Sequence, residues 1–131
     1  MIKQLDQLIE WHTKFEVPFL TNPDPYDDEP ETMATHRLRA RIMTEEIKEW
    51  VESALYNESI DKRAKELADI LYTVFGTIIH EGLQGQIERV FDEVHKSNMS
   101  KIGADGKPVK RYDGKVLKGP NYKEPDLAFL G

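Results

Sequence analysis

The residues best suited to chemistry are carboxylates. One acidic step reads Glu45-Glu46-Ile47-Lys48-Glu49, and a second reads Glu66-Leu67-Ala68-Asp69 after sixteen intervening residues. Residues three apart on a helix are surface neighbours, so each segment would present a carboxylate pair. Two such helices packed antiparallel would gather four carboxylates round a hard divalent cation, with waters left for a phosphate to replace. Acids fill 24 of 131 positions, so this pattern alone would arise by chance roughly once in every two or three such chains.

Position on the helix strengthens the pattern. At about 100° per residue, Glu46 falls between Ile42 and Trp50 on the apolar face, Glu49 falls at its edge, and Glu45 and Glu52 lie further out. On the next segment Glu66, Asp69, Thr73, Thr77 and His80 form one polar stripe on an otherwise apolar cylinder. A carboxylate aimed at a packing surface needs a partner or a metal. The plain alternative is salt bridging, with Arg37, Arg39, Arg41 or Arg63 as the neutralising group.

Other chemistries find less support. There is no Cys, which excludes thiolate metal sites, iron–sulfur clusters, disulfide scaffolds and a Cys nucleophile. Asp92-x-x-His95 is a single imperfect step toward a di-iron bundle, which wants Glu-x-x-His on two helices. His80 reads as a half-buried helix-end residue rather than a ligand. Trp11, Trp50, Tyr72 and Phe75 read as core at helical spacing. Asn98 and Lys101 share a helical face, and such a pair can bind a base or sugar and a phosphate. Taken by themselves, they are better explained as a basic helix C-terminus that complements the dipole.

Several elements must position these groups. Residues 2–16 show helical spacing and stop before Pro18. Residues 17–31 form a proline-rich loop with the acidic run Asp27-Asp28-Glu29. Thr32 is the expected N-cap of a helix to about Asn57, and Ser59 that of a helix from Ile60 to Glu81, closed by Gly82. A fourth helix spans 84–101, with Ile87, Val90, Phe91 and Val94 on one face. Asp105-Gly106 and Asp113-Gly114 are turn dipeptides, the second flanked by extended pieces Pro108–Arg111 and Lys115–Leu117 that predict a small hairpin. The expected fold is all-α, a four- to five-helix bundle. One domain is expected over 1–131, with a helical core over 1–101 and an irregular basic extension over 102–131. The wide apolar arc of the third helix predicts neighbours on several sides, a second subunit among them.

Charge follows the same division. Residues 1–95 carry 10 basic against 20 acidic groups and residues 96–131 carry 8 against 4, for a net charge of −6. An acidic body argues against duplex nucleic acid as a partner. The longest apolar run, Ile70–Ile79, has ten residues, against about 20 for a membrane span. No secretory signal is read at the N-terminus, and a cytoplasmic location is expected.

Taken together, Glu45-Glu46-x-x-Glu49, Glu66-x-x-Asp69 with Ile70-Leu71-Tyr72, and Val90–Lys101 with its Asn98-x-x-Lys101 step resemble the MazG-like all-α nucleoside-triphosphate pyrophosphohydrolases. The likeness is to a single-domain branch with dUTPase-like members, and residues 114–116 and 118–122 are similar to bacterial and phage members of it. The resemblance implies a bundle of the all-α NTP pyrophosphatase type. It implies Glu46, Glu49, Glu66 and Asp69 as ligands of Mg²⁺, with Mn²⁺ an acceptable substitute. It implies Glu45 beside them as an outer ligand or water-orienting base, so that Glu45, Glu46 and Glu49 form the catalytic set. Asn98 and Lys101 would contact the nucleotide, and Lys118 or Tyr122 would reach it if the extension folds over the site. The implied reaction is hydrolysis of a nucleoside triphosphate, ribo or deoxy, to monophosphate and pyrophosphate by in-line attack of a metal-positioned water. The implied assembly is a homodimer or homotetramer, and the implied role nucleotide-pool sanitation. Related folds cleave phosphoribosyl-ATP, which is one alternative. A non-catalytic helical dimer that binds nucleotide or a protein partner is another.

Overall fold

A computed structural model describes residues 2–24 and 30–131, without the side chains of Ile2, Pro30, Glu31 and Thr32. The acidic run Asp27-Asp28-Glu29 lies outside the described residues. The chain forms helices α1 (Ile2–Lys14), α2 (Pro30–Leu55), α3 (Ile60–His80) and α4 (Ile87–Met99). A two-stranded ribbon, β1 (Val109–Lys110) and β2 (Val116–Leu117), and a 3₁₀ turn at Ala128–Leu130 follow. The fold is all-α with one small hairpin. Contacts divide it into two compact units, Met1–Gly85 and Gln86–Gly131.

In the first unit α3 is central, with α1 and α2 packed on it. α1, α2 and α3 end by one device, a residue in the left-handed region whose successor bonds back five residues. The N–H groups of Val17, Glu58 and Leu83 donate to the carbonyls of His12, Ser53 and Ile78, each at 2.9 Å. The left-handed residues are Glu16, Asn57 and Gly82. At Gly82 a side chain is doubly excluded, because an added Cβ would also collide with the Asn22 carbonyl. α1 therefore ends at Lys14, before the expected 16, and Pro18 lies beyond the stop rather than causing it. α2 starts at Pro30, not after a Thr32 cap. A proline suits the first helical position, where its missing N–H would have no partner.

Burial in this unit is sparse and partly polar. Leu5, Leu8 and Ile79 are the buried apolar residues, beside buried His12, Ser53, Glu66 and Thr73. Meanwhile Leu67, Leu71 and Val74 on α3 and Leu38, Ile47 and Val51 on α2 are exposed. The polar stripe of α3 thus faces inward and its apolar arc outward.

In the second unit α4 is shorter than the expected 84–101. Residues 84–86 are a turn, and Lys101 lies past the helix end. The C-terminal segment holds that end: Ser97 Oγ donates to the Lys123 carbonyl at 2.7 Å and the Gly119 N–H to the Lys101 carbonyl at 2.9 Å. The hairpin pairs Val109 with Leu117 and Lys110 with Val116. Asp113 closes its turn by accepting from the Lys115 N–H and the Arg111 guanidinium. The Arg89 guanidinium lies 3.9 Å above the Phe129 ring.

Candidate metal centre

The interface of α2 and α3 is a polar seam. Its inner line on α2 runs through Arg39, Glu46 and Ser53, and on α3 through Glu66, Thr73 and His80. Both follow a seven-residue spacing, which keeps one face toward a partner helix. At one end Arg39 reaches across, donating to the Thr73 carbonyl at 2.9 Å and the Thr77 hydroxyl at 3.1 Å. Gly76 makes room, since a Cβ there would meet that guanidinium.

Near the other end the carboxylates converge. One oxygen each from Glu46, Glu49, Glu66 and Asp69 lie within 4.8 Å of one another. Glu66 is buried, Glu46 and Asp69 are half-buried and Glu49 is exposed, so the cluster opens to solvent on one side. Two buried oxygens, Glu46 Oε2 and Glu66 Oε2, accept no hydrogen bond. Burial pushes the Glu46 carboxyl above its usual range, and the charges of Glu49 and Asp69, a hydrogen bond to Glu49 and the charge of Glu66 push it further. A set of close oxygens with buried lone pairs unused fits a hard divalent cation.

The neutralising groups are lysines, not the arginines of the salt-bridge alternative. Lys65 Nζ lies 2.9 Å from Asp69 and 3.8 Å from Glu66, and Lys62 Nζ 4.0 Å from Glu66. Asp69, more than Glu66, raises the Lys65 pKa. Both lysines are largely exposed, and neither meets the two unpartnered oxygens. Their signal was present in the sequence, as basic residues four positions before Glu66 and Asp69. Arg63 instead donates to the Glu58 carbonyl, 3.0 Å away.

Glu45 is exposed and stands outside the four-oxygen group. Asn98, Lys101, Lys118 and Tyr122 belong to the second unit. There Asn98 is exposed in the last turn of α4. Lys118 Nζ lies 4.5 Å from the Tyr122 ring centre and 3.9 Å from Glu124. Trp11 and Tyr72 are not core residues. With Gln7, Glu10, Lys14 and Phe15 they line an open cleft of about 310 Å³. Trp11 stacks on Phe15 at 5.1 Å and meets Tyr72 edge-on at 6.4 Å.

Residues 8–98 match the family described as phosphoribosyl-ATP pyrophosphohydrolase (PRA-PH), well over half of the chain. This chain belongs to the PRA-PH family. The match contains both carboxylate pairs and Asn98 but stops short of Lys101, Lys118 and Tyr122. PRA-PH proteins form an all-α family within the MazG-like superfamily. Membership makes the chain a pyrophosphohydrolase of a nucleotide-like substrate, a hydrolase of acid anhydrides, in a family that typically uses a divalent metal. No curated protein matches the chain. Among the described residues no helix is long and apolar enough to cross a membrane.

Proposed function

We propose that this chain hydrolyses the α–β anhydride of a nucleoside triphosphate, ribo or deoxy, releasing monophosphate and pyrophosphate with Mg²⁺ as cofactor. The observation that carries the reading is the group of four carboxylates with two buried oxygens unpartnered. Glu46, Glu49, Glu66 and Asp69 would hold the cation, with Mn²⁺ as a substitute. When bound, that cation would supply charge neutralisation to the phosphates. Glu45, exposed and next to Glu46 in the chain, would orient the attacking water. Lys65 would hold Asp69 in place. The cleft of Trp11, Phe15 and Tyr72 offers a planar base an aromatic wall. Asn98 and Lys101 remain proposed nucleotide contacts on their motif, and Lys118 and Tyr122 on the resemblance of the C-terminal segment. The match over residues 8–98 crosses the division at Gly85, which supports one functional domain across that division, and we extend it to residues 1–131.

Within that chemistry the single-domain, dUTPase-like branch is the preferred relative, with pool sanitation in the cytoplasm as the role. The second reading, phosphoribosyl-ATP itself as substrate, is favoured by the family match. The exposed apolar arcs of α2 and α3 support a homodimer or homotetramer. Pyrophosphate release from a panel of ribo- and deoxyribonucleoside triphosphates and phosphoribosyl-ATP, with Mg²⁺ or EDTA, tests the proposal. Metal-dependent release from a triphosphate supports it, release from phosphoribosyl-ATP alone selects the second reading, and no release from any substrate refutes both.

A further inference from the structure

A second group of metal-capable side chains lies at the other end of α3. A ring nitrogen each from His36 and His80 and a carboxylate oxygen of Glu81 fall within 4.8 Å of one another. His36 comes from α2, while His80 ends α3 and Glu81 caps it. His80 lies eleven positions beyond Asp69, about 16.5 Å along the helix at 1.5 Å per residue. The two groups therefore share no ligand.

We propose that His36, His80 and Glu81 form a site for a borderline-soft divalent ion of the zinc type, distinct from the carboxylate cluster and clamping the start of α2 to the end of α3. Two imidazoles with one carboxylate suit Zn²⁺, whereas Mg²⁺ takes oxygen ligands. The donors are already close: His36 Nε2 lies 3.0 Å from Glu81 Oε1. The two rings stand perpendicular with centres 5.6 Å apart. A His36–Glu81 ion pair alone leaves unexplained why a ring nitrogen of His80 falls inside the same 4.8 Å group. The site also sits at the C-terminal end of α3, where the helix dipole favours a cation.

The neighbouring charges have been met by other groups. Arg39, on the same helix as His36, is bonded to Thr73 and Thr77. The neutral imidazole is the form that ligates a metal. His12 is bonded through Nδ1 to the Leu8 carbonyl at 2.8 Å. Three protein ligands leave coordination positions for water.

The test titrates Zn²⁺ into the full chain held in excess Mg²⁺, which occupies the carboxylate cluster. Histidine ring nitrogens are followed by NMR, with exposed His95 as the internal control. One equivalent of Zn²⁺ is expected to shift the His36 and His80 rings together and leave His95 unmoved. His80→Ala and Glu81→Gln are expected to weaken Zn²⁺ binding by calorimetry at least about tenfold, while Glu66→Gln leaves it unchanged. Rings of His36 and His80 that do not move at one equivalent overturn the proposal. So does a shift shared equally with His95, or Zn²⁺ affinity that follows Glu66 instead. The wild-type titration decides the matter even if a variant fails to fold.

Discussion

Replacing Glu66 by Gln separates a metal centre from a structural ion pair, because the two predict stability changes of opposite sign. Glu66 is 3 % exposed and has three carboxylate neighbours within 4.8 Å. Each like-charge pair at that distance costs about 1 kcal/mol in a water-like dielectric and about 3.5 kcal/mol at an effective value of about 20. Solvent reaches the cluster beside Glu49, so the lower figure is the better guide. Lys62 and Lys65 offset part of the repulsion, and both are screened. Glu66→Gln keeps the shape, removes one charge and adds an amide donor within the cluster. The metal-free variant should gain about 1 kcal/mol, or about 4 °C in Tm for a chain of this size. Its Mg²⁺ affinity should fall at least about tenfold, shrinking the Mg²⁺-induced rise in Tm. The assay is thermal unfolding at pH 8 and fixed protein concentration, in EDTA and over a Mg²⁺ series, with calorimetry for affinity. A variant less stable than wild type in EDTA, with an undiminished response to Mg²⁺, would refute the reasoning. Glu66 would then be the buried partner of its lysines.

Two further predictions follow from the same structure. The Glu46 carboxyl titrates above its ordinary value of 4.5 in the folded state, so its contribution favours folding below that value and is lost as pH rises through the elevated one. In EDTA, wild type should therefore lose Tm relative to Glu46→Gln across that rise. Comparing the pair cancels His12 and His80, whose lowered values act in the opposite direction, and a constant difference across the range counts against the carboxylate cluster. Leu71 is 54 % exposed in the apolar arc of α3, and Leu71→Glu should weaken self-association at least about tenfold. Analytical ultracentrifugation checks this, and a monomeric wild type, or a variant of unchanged mass, removes the oligomer from the proposal.

Much of the local architecture was determined by the sequence itself. Helical spacing marks α1 to α4, Asp113-Gly114 marks the hairpin and Gly82 marks the end of α3, because these signals act over a few residues and need no partner. The acidic steps likewise announce carboxylate pairs three residues apart. The helix end at Glu16 was not legible, since glutamate rarely enters the left-handed region and the pull comes from the bond between Val17 and His12. Nor was the direction in which α3 faces. Its polar stripe turns toward α2 and leaves Leu67, Leu71 and Val74 outside, an orientation that burial of apolar surface within one chain would not select. Only the packing of α2 against α3 brings Arg39 to Thr73, gathers four carboxylates and sets His36 beside His80. Spacing specifies which groups share a face, but which face is buried depends on the whole set of partners, including charges that stabilise polar groups removed from water.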